Sequence, residues 1–284
     1  MLIVKPGIGR VATALAAGTA LAVLVATPAM ADTSQSSASA LRIDLVGGGV
    51  ASSGTASATN DGTTESISGN TNPSLAVLGS QDVITAGVLG QDVRAFNDGT
   101  SAACAGVAGA SGTFDIGAGG SCLVTPGAEV SLTLGTNGLA TIALVADAIY
   151  SSCTATSAPS ATGTTSLVNA RLTSTTAGIT TTLLSLPANP APNTGLSVPG
   201  VLSITLNEQT SSTSGQLSVT ALSIDALAGT LASVTIGESN CGPNAIAPPI
   251  PVIPLAGAPI ALGVGAIAAG IGFVLHRRRA TAKG

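Results

Sequence analysis

The chain has no tryptophan, one tyrosine, three phenylalanines and one histidine among its 284 residues, and only 8% of it is charged. Each scarcity removes a class of function. The histidine is His276, near the C-terminus, and the two lysines are Lys5 and Lys283. The long stretch between the termini therefore has neither histidine nor lysine to serve as a base. Ser-His-Asp and Cys-His machinery, Ser-Lys variants and histidine metal sites are all excluded from it. No GxxxxGK(S/T) or GxGxxG motif opens a helix, so nucleotide binding finds no support. The sequence predicts no enzyme, no cofactor and no metal site.

Carboxylates are the chemistry that remains. Asp61 with Glu65, and Asp82 with Asp92, are the closest acidic pairs, and a glycosidase needs only two placed carboxyl groups. Such sites offer aromatic platforms to a sugar, and here Phe96, Phe114 and Tyr150 are the whole supply between the termini. Asn60-Asp61-Gly62 and Asn97-Asp98-Gly99 offer oxygens of the kind calcium takes, but turn chemistry explains both more simply.

Charge is segregated along the chain. All thirteen acidic residues lie from Asp32 to Glu238, opposed there only by Arg42, Arg94 and Arg171, a net of −10. That surface repels phosphate backbones, so nucleic acid is not an expected partner. The remaining cations flank two apolar runs. Lys5 and Arg10 precede Val11 to Val25, and Thr27-Pro28-Ala29-Met30-Ala31 follows. A short basic region, an apolar stretch and a small-x-small site form a secretory signal, with cleavage expected between Ala31 and Asp32. Near the other end, Ala256 to Leu275 is uncharged and long enough to cross a hydrocarbon core. His276 and then Arg277, Arg278 and Arg279 close it, and clustered arginines mark the cytoplasmic side. The expectation is a single-pass membrane anchor with the bulk of the chain outside the cell. Ile253-Pro254-Leu255-Ala256-Gly257, just before the run, is similar to a sortase signal of the LPxTG type in Pro254 and Gly257. Ile253 and Ala256 replace its Leu and Thr, so wall attachment is the secondary expectation.

Between the termini the pattern is alternation with a two-residue period. Leu41, Ile43 and Leu45 face one way with Arg42 and Asp44 opposite, and Leu202 to Leu206 and Leu217 to Ala221 repeat the pattern. Ser131–Leu134, Leu139–Val145, Leu167–Leu172, Thr180–Leu184 and Val234–Ile236 are further strand candidates. Asn60-Asp61-Gly62, Asn97-Asp98-Gly99, Thr136-Asn137-Gly138 and Pro187 to Asn193 supply turns. Many short strands predict an all-β sandwich or Greek-key domain over residues 32–242, with a division into halves near 150 left open. Leu139 to Tyr150 has a helix as its alternative. Thr33 to Ala40, polar and serine-rich, reads as a flexible lead-in. Leu78 to Val83 recurs loosely as Leu89 to Val93, as two strands of one hairpin would. Five prolines from Pro243 to Pro254 predict an extended spacer over residues 243–255.

Cys104, Cys122, Cys153 and Cys241 all lie in the exported region, where an even count reads as two disulfides. Of the three possible pairings, Cys104–Cys122 closes a glycine-rich loop and Cys153–Cys241 ties the second half to its last strand. That combination is the one expected. A zinc site is the alternative, and it lacks both a CxxC pair and a histidine.

The second half also resembles a known family. Thr164-Thr165-Ser166-Leu167-Val168-Asn169-Ala170-Arg171 comes first, then Pro187-Ala188-Asn189-Pro190-Ala191-Pro192-Asn193-Thr194. Thr205-Leu206-Asn207-Glu208-Gln209, Val219-Thr220-Ala221-Leu222-Ser223-Ile224 and Gly237-Glu238-Ser239-Asn240-Cys241-Gly242 follow in order. This series is similar to the choice-of-anchor family of actinobacterial surface proteins, most closely the type called choice-of-anchor P. Thr220 and Ser223 depart from that type, which has Asn and His there. The resemblance implies a cell-surface protein and no catalytic residue. A structural or adhesive envelope protein is the function expected. A binding module for a wall glycan, protein or small ligand is the alternative, and a carboxylate-only hydrolase the third.

Overall fold

The computed structural model describes residues 33–245, apart from 48, 63, 72–83, 86, 138, 159, 201 and 227–230. The expected signal peptide with its Ala31–Asp32 cleavage site, the anchor with Arg277 to Arg279, most of the spacer, Asp82 and the first copy of the short repeat lie outside the described residues. Among the described residues no helix is long and apolar enough to cross a membrane.

The rest is strand. In chain order these are β1 (Ser34–Leu45), β2 (Val50–Ser52), β3 (Ala56–Asn60), β4 (Ser66–Thr71), β5 (Ile84–Thr85), β6 (Gly87–Ala95) and β7 (Ser101–Gly109). Then come β8 (Thr113–Ile116), β9 (Cys122–Thr125), β10 (Val130–Asn137), β11 (Ala140–Ala146), β12 (Ala148–Thr156) and β13 (Ser160–Val168). The last are β14 (Arg171–Thr176), β15 (Ile179–Ser185), β16 (Thr194–Val198), β17 (Leu202–Ser211), β18 (Leu217–Ala226) and β19 (Leu231–Cys241). Sheet I has seven strands, ordered β16-β17-β18-β19-β1-β2, with β3 also paired to β1. Sheet II has five, β15-β14-β11-β10-β5, and sheet III five, β13-β12-β7-β6-β4. A hairpin of β8 and β9 completes the set. Every pairing is antiparallel. The all-β expectation holds, and the sheets stay open as in a sandwich.

One crease organises the architecture. Along β1, β17, β18 and β19 the buried side alternates until two neighbours are both buried: Ala40 and Leu41, Leu206 and Asn207, Ala221 and Leu222, Ile236 and Gly237. These positions stand side by side across sheet I. Ser39 pairs Glu238 and Leu41 pairs Ile236, so the ladder is interrupted between them without a change of register. The same gap separates Leu222–Leu206 from Thr220–Glu208. Two residues turn the backbone there, Asn207 at φ 50° and Gly237 at φ 64°. Asn207 tolerates that region and is held by a hydrogen bond from its Nδ2 to the Pro190 carbonyl, 2.9 Å. A Cβ at Gly237 would lie 2.6 Å from the Ala105 carbonyl oxygen, so only glycine fits.

The second layer breaks at the same level. β11 leads through Asp147 into β12, and β13 through Asn169 and Ala170 into β14, each pair of strands changing sheet as it passes. Asn169, at φ 52°, donates from Nδ2 to the Asp147 carboxylate and pins the bend. Beyond the crease sheet I packs on sheet II through Leu41, Ile43, Leu222, Ile224 and Ile236 against Leu132, Ile142, Leu144 and Leu172. On the other side it packs on sheet III, where alanines dominate: Ala38, Ala56, Ala58, Ala103, Ala105 and Ala155. Such small side chains leave room for polar ties between the layers. Ser151 and Ser239, both fully buried, share a hydrogen bond of 2.8 Å. Ser53 Oγ accepts from the Ala40 and Leu41 amides where β2 gives way to β3, and donates 3.0 Å to Gln91 Oε1 on sheet III.

Several expectations need correction. Thr33 to Ala40 is not a flexible lead-in but the start of a central strand. Ser34, Ser36, Ala38 and Ala40 are buried at alternate positions, and Ser36 Oγ donates 3.0 Å to the Arg94 carbonyl. Leu139 to Tyr150 is not a helix. It joins β11 to β12, and its adjacent apolar residues mark the change of sheet. Leu167 to Leu172 is the bend between two strands rather than one strand. Tyr150 lies inside β12, which is flanked by β7 and β13. Of the expected spacer, Ala245 is described, and it pairs with Thr33 at the start of the domain.

Candidate functional site

The four cysteines form Cys104–Cys122 and Cys153–Cys241, as the sequence suggested, and no described cysteine is free. The first fastens the β8–β9 hairpin to β7 over the outer face of sheet III. Under that hairpin Phe114 lies against Gly90, where a Cβ would come within 1.9 Å of the ring, and meets Tyr150 edge to face at 6.5 Å. The three aromatics between the termini are thus packed together rather than displayed, Phe96 joining the same cluster. They form no platform for a sugar.

The two Asn-Asp-Gly turns, distant in sequence, are brought together. Asn60 Nδ2 donates 2.7 Å to Asn97 Oδ1. Asn60 Oδ1 accepts from Gly62 N–H at 2.7 Å, and Asp98 Oδ1 from Thr100 N–H at 2.9 Å. Each oxygen is committed to shaping its own turn. Among the described residues no group of three His, Cys, Asp or Glu is placed to hold a metal ion.

Of the expected carboxylate pairs, Asp61 and Glu65 line an open depression with Thr59, Asn60, Thr64 and Ile67, where nothing excludes water. Among the described residues Asp92 is the carboxylate with a buried setting, between β4 and the hairpin. Its Oδ1 accepts from the Val93 amide at 2.9 Å and its Oδ2 from the Ile116 amide at 3.0 Å. Burial pushes its carboxyl above the ordinary range, against the pull of those two amides. Oδ2 fastens β8 to β6 while Oδ1 is held within β6 itself, so both oxygens have a structural task. The folded chain therefore takes up this proton more readily than the unfolded chain. Its contribution to stability is complete below the ordinary carboxylate value of 3.8 and declines as pH rises through the raised one. Asp92→Asn removes that titration, so thermal unfolding followed across this window should lose part of its decline with rising pH. An unchanged slope would assign the decline to other groups.

Sequence spacing could not reveal one further pair. Glu208 and Glu238 both stand opposite Thr220, from either side, so their Cα atoms are about 9–10 Å apart, two strand spacings. The pair sits on the outer face of sheet I among Ser39, Ser218 and Thr220, with no cleft around it. Only the strand register joins residues so far apart in sequence.

Comparison with protein-family models, with curated proteins and with solved structures finds no match.

Proposed function

We propose that this chain is an exported cell-surface protein with a structural or adhesive role in the envelope and no catalysis of its own. Residues 1–31 serve as its leader, residues 256–275 as its membrane anchor and residues 276–284 as a cytoplasmic tail. One observation carries the reading beyond the sequence. Thr33 and Ala245 are bridged, with Thr33 N–H donating 3.0 Å to the Ala245 carbonyl and the Ala245 amide returning the bond. A domain whose two ends leave side by side suits display on one stalk, with sheet II at the end away from the bilayer. Two further features agree with this reading. The disulfides suit an oxidising compartment, and the described carboxylates either fasten turns and hairpins or lie on open faces. The resemblance to the choice-of-anchor family points the same way.

A second reading, a binding module, draws on a shallow polar depression beside the bridged ends, lined by Gln35, Ser37, Ser57, Thr59, Gln216 and Asn240. Neutral amides and hydroxyls of this kind suit an uncharged polar ligand such as a wall glycan.

Fractionation of cells making the full chain tests the first reading. Detergent is expected to release a protein that begins at Asp32 and ends at Gly284. Removing residues 256–284 is expected to move it from the cell to the medium. Release only by wall digestion, with a C-terminus at Ala256, would make the attachment covalent. A cytosolic protein with Met1 intact and reduced thiols would overturn the reading.

A further inference from the structure

Sheet II ends on β15, and that edge is open. Among the described residues β15 pairs only with β14, and six of its seven residues are exposed. The outer edge of β13 in sheet III, by contrast, is partly occupied. Gln209 Nε2 donates 3.0 Å to the Gly163 carbonyl, and the Leu167 amide donates 2.8 Å to that of Ala188. Proteins usually protect an exposed edge with lysine, proline, inward charges or a covering loop. Ile179-Thr180-Thr181-Thr182-Leu183-Leu184-Ser185 has no charge and no proline, and its one irregularity is a bulge at Leu183. Ile179 and Leu183 are 71% and 44% exposed. Among the described residues nothing pairs the outer main-chain groups of this strand, and it has high β-propensity and no charge to repel a partner.

We propose that β15 is a self-association edge, pairing antiparallel with β15 of a second copy of this chain about a two-fold axis near Thr182. Charge selects this occupant. The chain is strongly acidic from Asp32 to Glu238, so two copies repel each other across most of their surface, and a basic partner is drawn to those acidic faces instead. From Leu172 to Ser185 there is no charge at all, and there two acidic copies can approach. The pairing is isologous, so it closes at a dimer instead of propagating. It places threonines against threonines and leucines, pairs that favour a ladder, and joins two five-stranded sheets into one. The edge belongs to the half of the sandwich away from Thr33 and Ala245, so the chain ends do not obstruct it. The inference stands on the strand itself and does not require the membrane anchor, so the two can fail separately.

Sedimentation of the full chain over a range of concentrations tests it, with hydrogen exchange on the same samples. The parent is expected to dimerise, and the β15 amides to gain protection as concentration rises. Thr182→Lys sets like charges against each other across the axis and is expected to weaken the dimer by at least roughly tenfold, with circular dichroism unchanged. Thr182→Val keeps the β-propensity and is expected to stay within about threefold of the parent. A parent that remains monomeric at concentrations on the order of 100 μM would overturn the proposal. So would a dimer indifferent to Thr182→Lys, or β15 amides whose exchange does not depend on concentration.

Discussion

Replacing Cys153 and Cys241 together by alanine lowers the unfolding free energy by about 4–5 kcal/mol, the larger of the two disulfide effects expected here. The bridge joins residues 88 apart, whereas Cys104 and Cys122 are 18 apart. In the chain-entropy account the shorter loop is worth about 3 kcal/mol. Position reinforces the difference. Cys153 is 2% exposed and Cys241 fully buried, and they link β12 to β19 across the layers. They do so where the core is mostly alanine and each side chain contributes little apolar area. Cys104–Cys122 fastens one hairpin, and its removal should leave the sandwich itself intact. Urea unfolding of the two double-alanine variants under non-reducing conditions measures both. If loss of the shorter bridge costs as much as loss of the longer one, the hairpin would have to be integral to the sandwich.

The fold class was legible in the sequence because most strands alternate visibly, as from Leu202 to Leu206. The turns were legible because Asn60-Asp61-Gly62 and Asn97-Asp98-Gly99 carry residues with specific backbone preferences. Two things were concealed. Ser34, Ser36, Ala38 and Ala40 alternate as faithfully as any strand, but small side chains give no contrast in hydrophobicity, so a central strand resembled a tail. The crease was written as doublets, Ala40-Leu41, Ala221-Leu222 and Ile236-Gly237, each of which looks locally like a lapse in pattern. Their meaning appears only when the register sets them in one line across four strands. Candidate sites suffered likewise. Asn60 meets Asn97, and Glu208 stands two strands from Glu238, through pairings that no spacing rule reports. The disulfides were legible because Cys104–Cys122 closes a glycine-rich loop and Cys153–Cys241 ties the second half to its last strand.

Ile236→Ala tests the place where the three sheets meet, and it should cost about 4–5 kcal/mol, the top of the range for such truncations. Ile236 on β19 is 2% exposed, and with Leu41 it faces Leu132 and Leu144 of sheet II and Val107 and Ile149 of sheet III. Between them is an apolar void of about 10 Å³ with no polar group to hold a water. Around such a void the neighbouring side chains have already failed to close in, because backbone on three sides is fixed by separate ladders. Space freed by truncation therefore adds to a cavity instead of being filled by relaxation, and lost dispersion contacts add to lost transfer energy. Ile224→Ala is the matched control, since Ile224 is 1% exposed on the neighbouring strand but does not line the void. Its truncation should cost about 3 kcal/mol, near the middle of the range. The chemistry of the two changes is the same, so the difference between their urea midpoints at equal slope isolates the effect of the junction. Equal midpoints would mean that the junction collapses as readily as the rest of the core. The crease would then be a flexible fold line rather than a rigid meeting of three sheets.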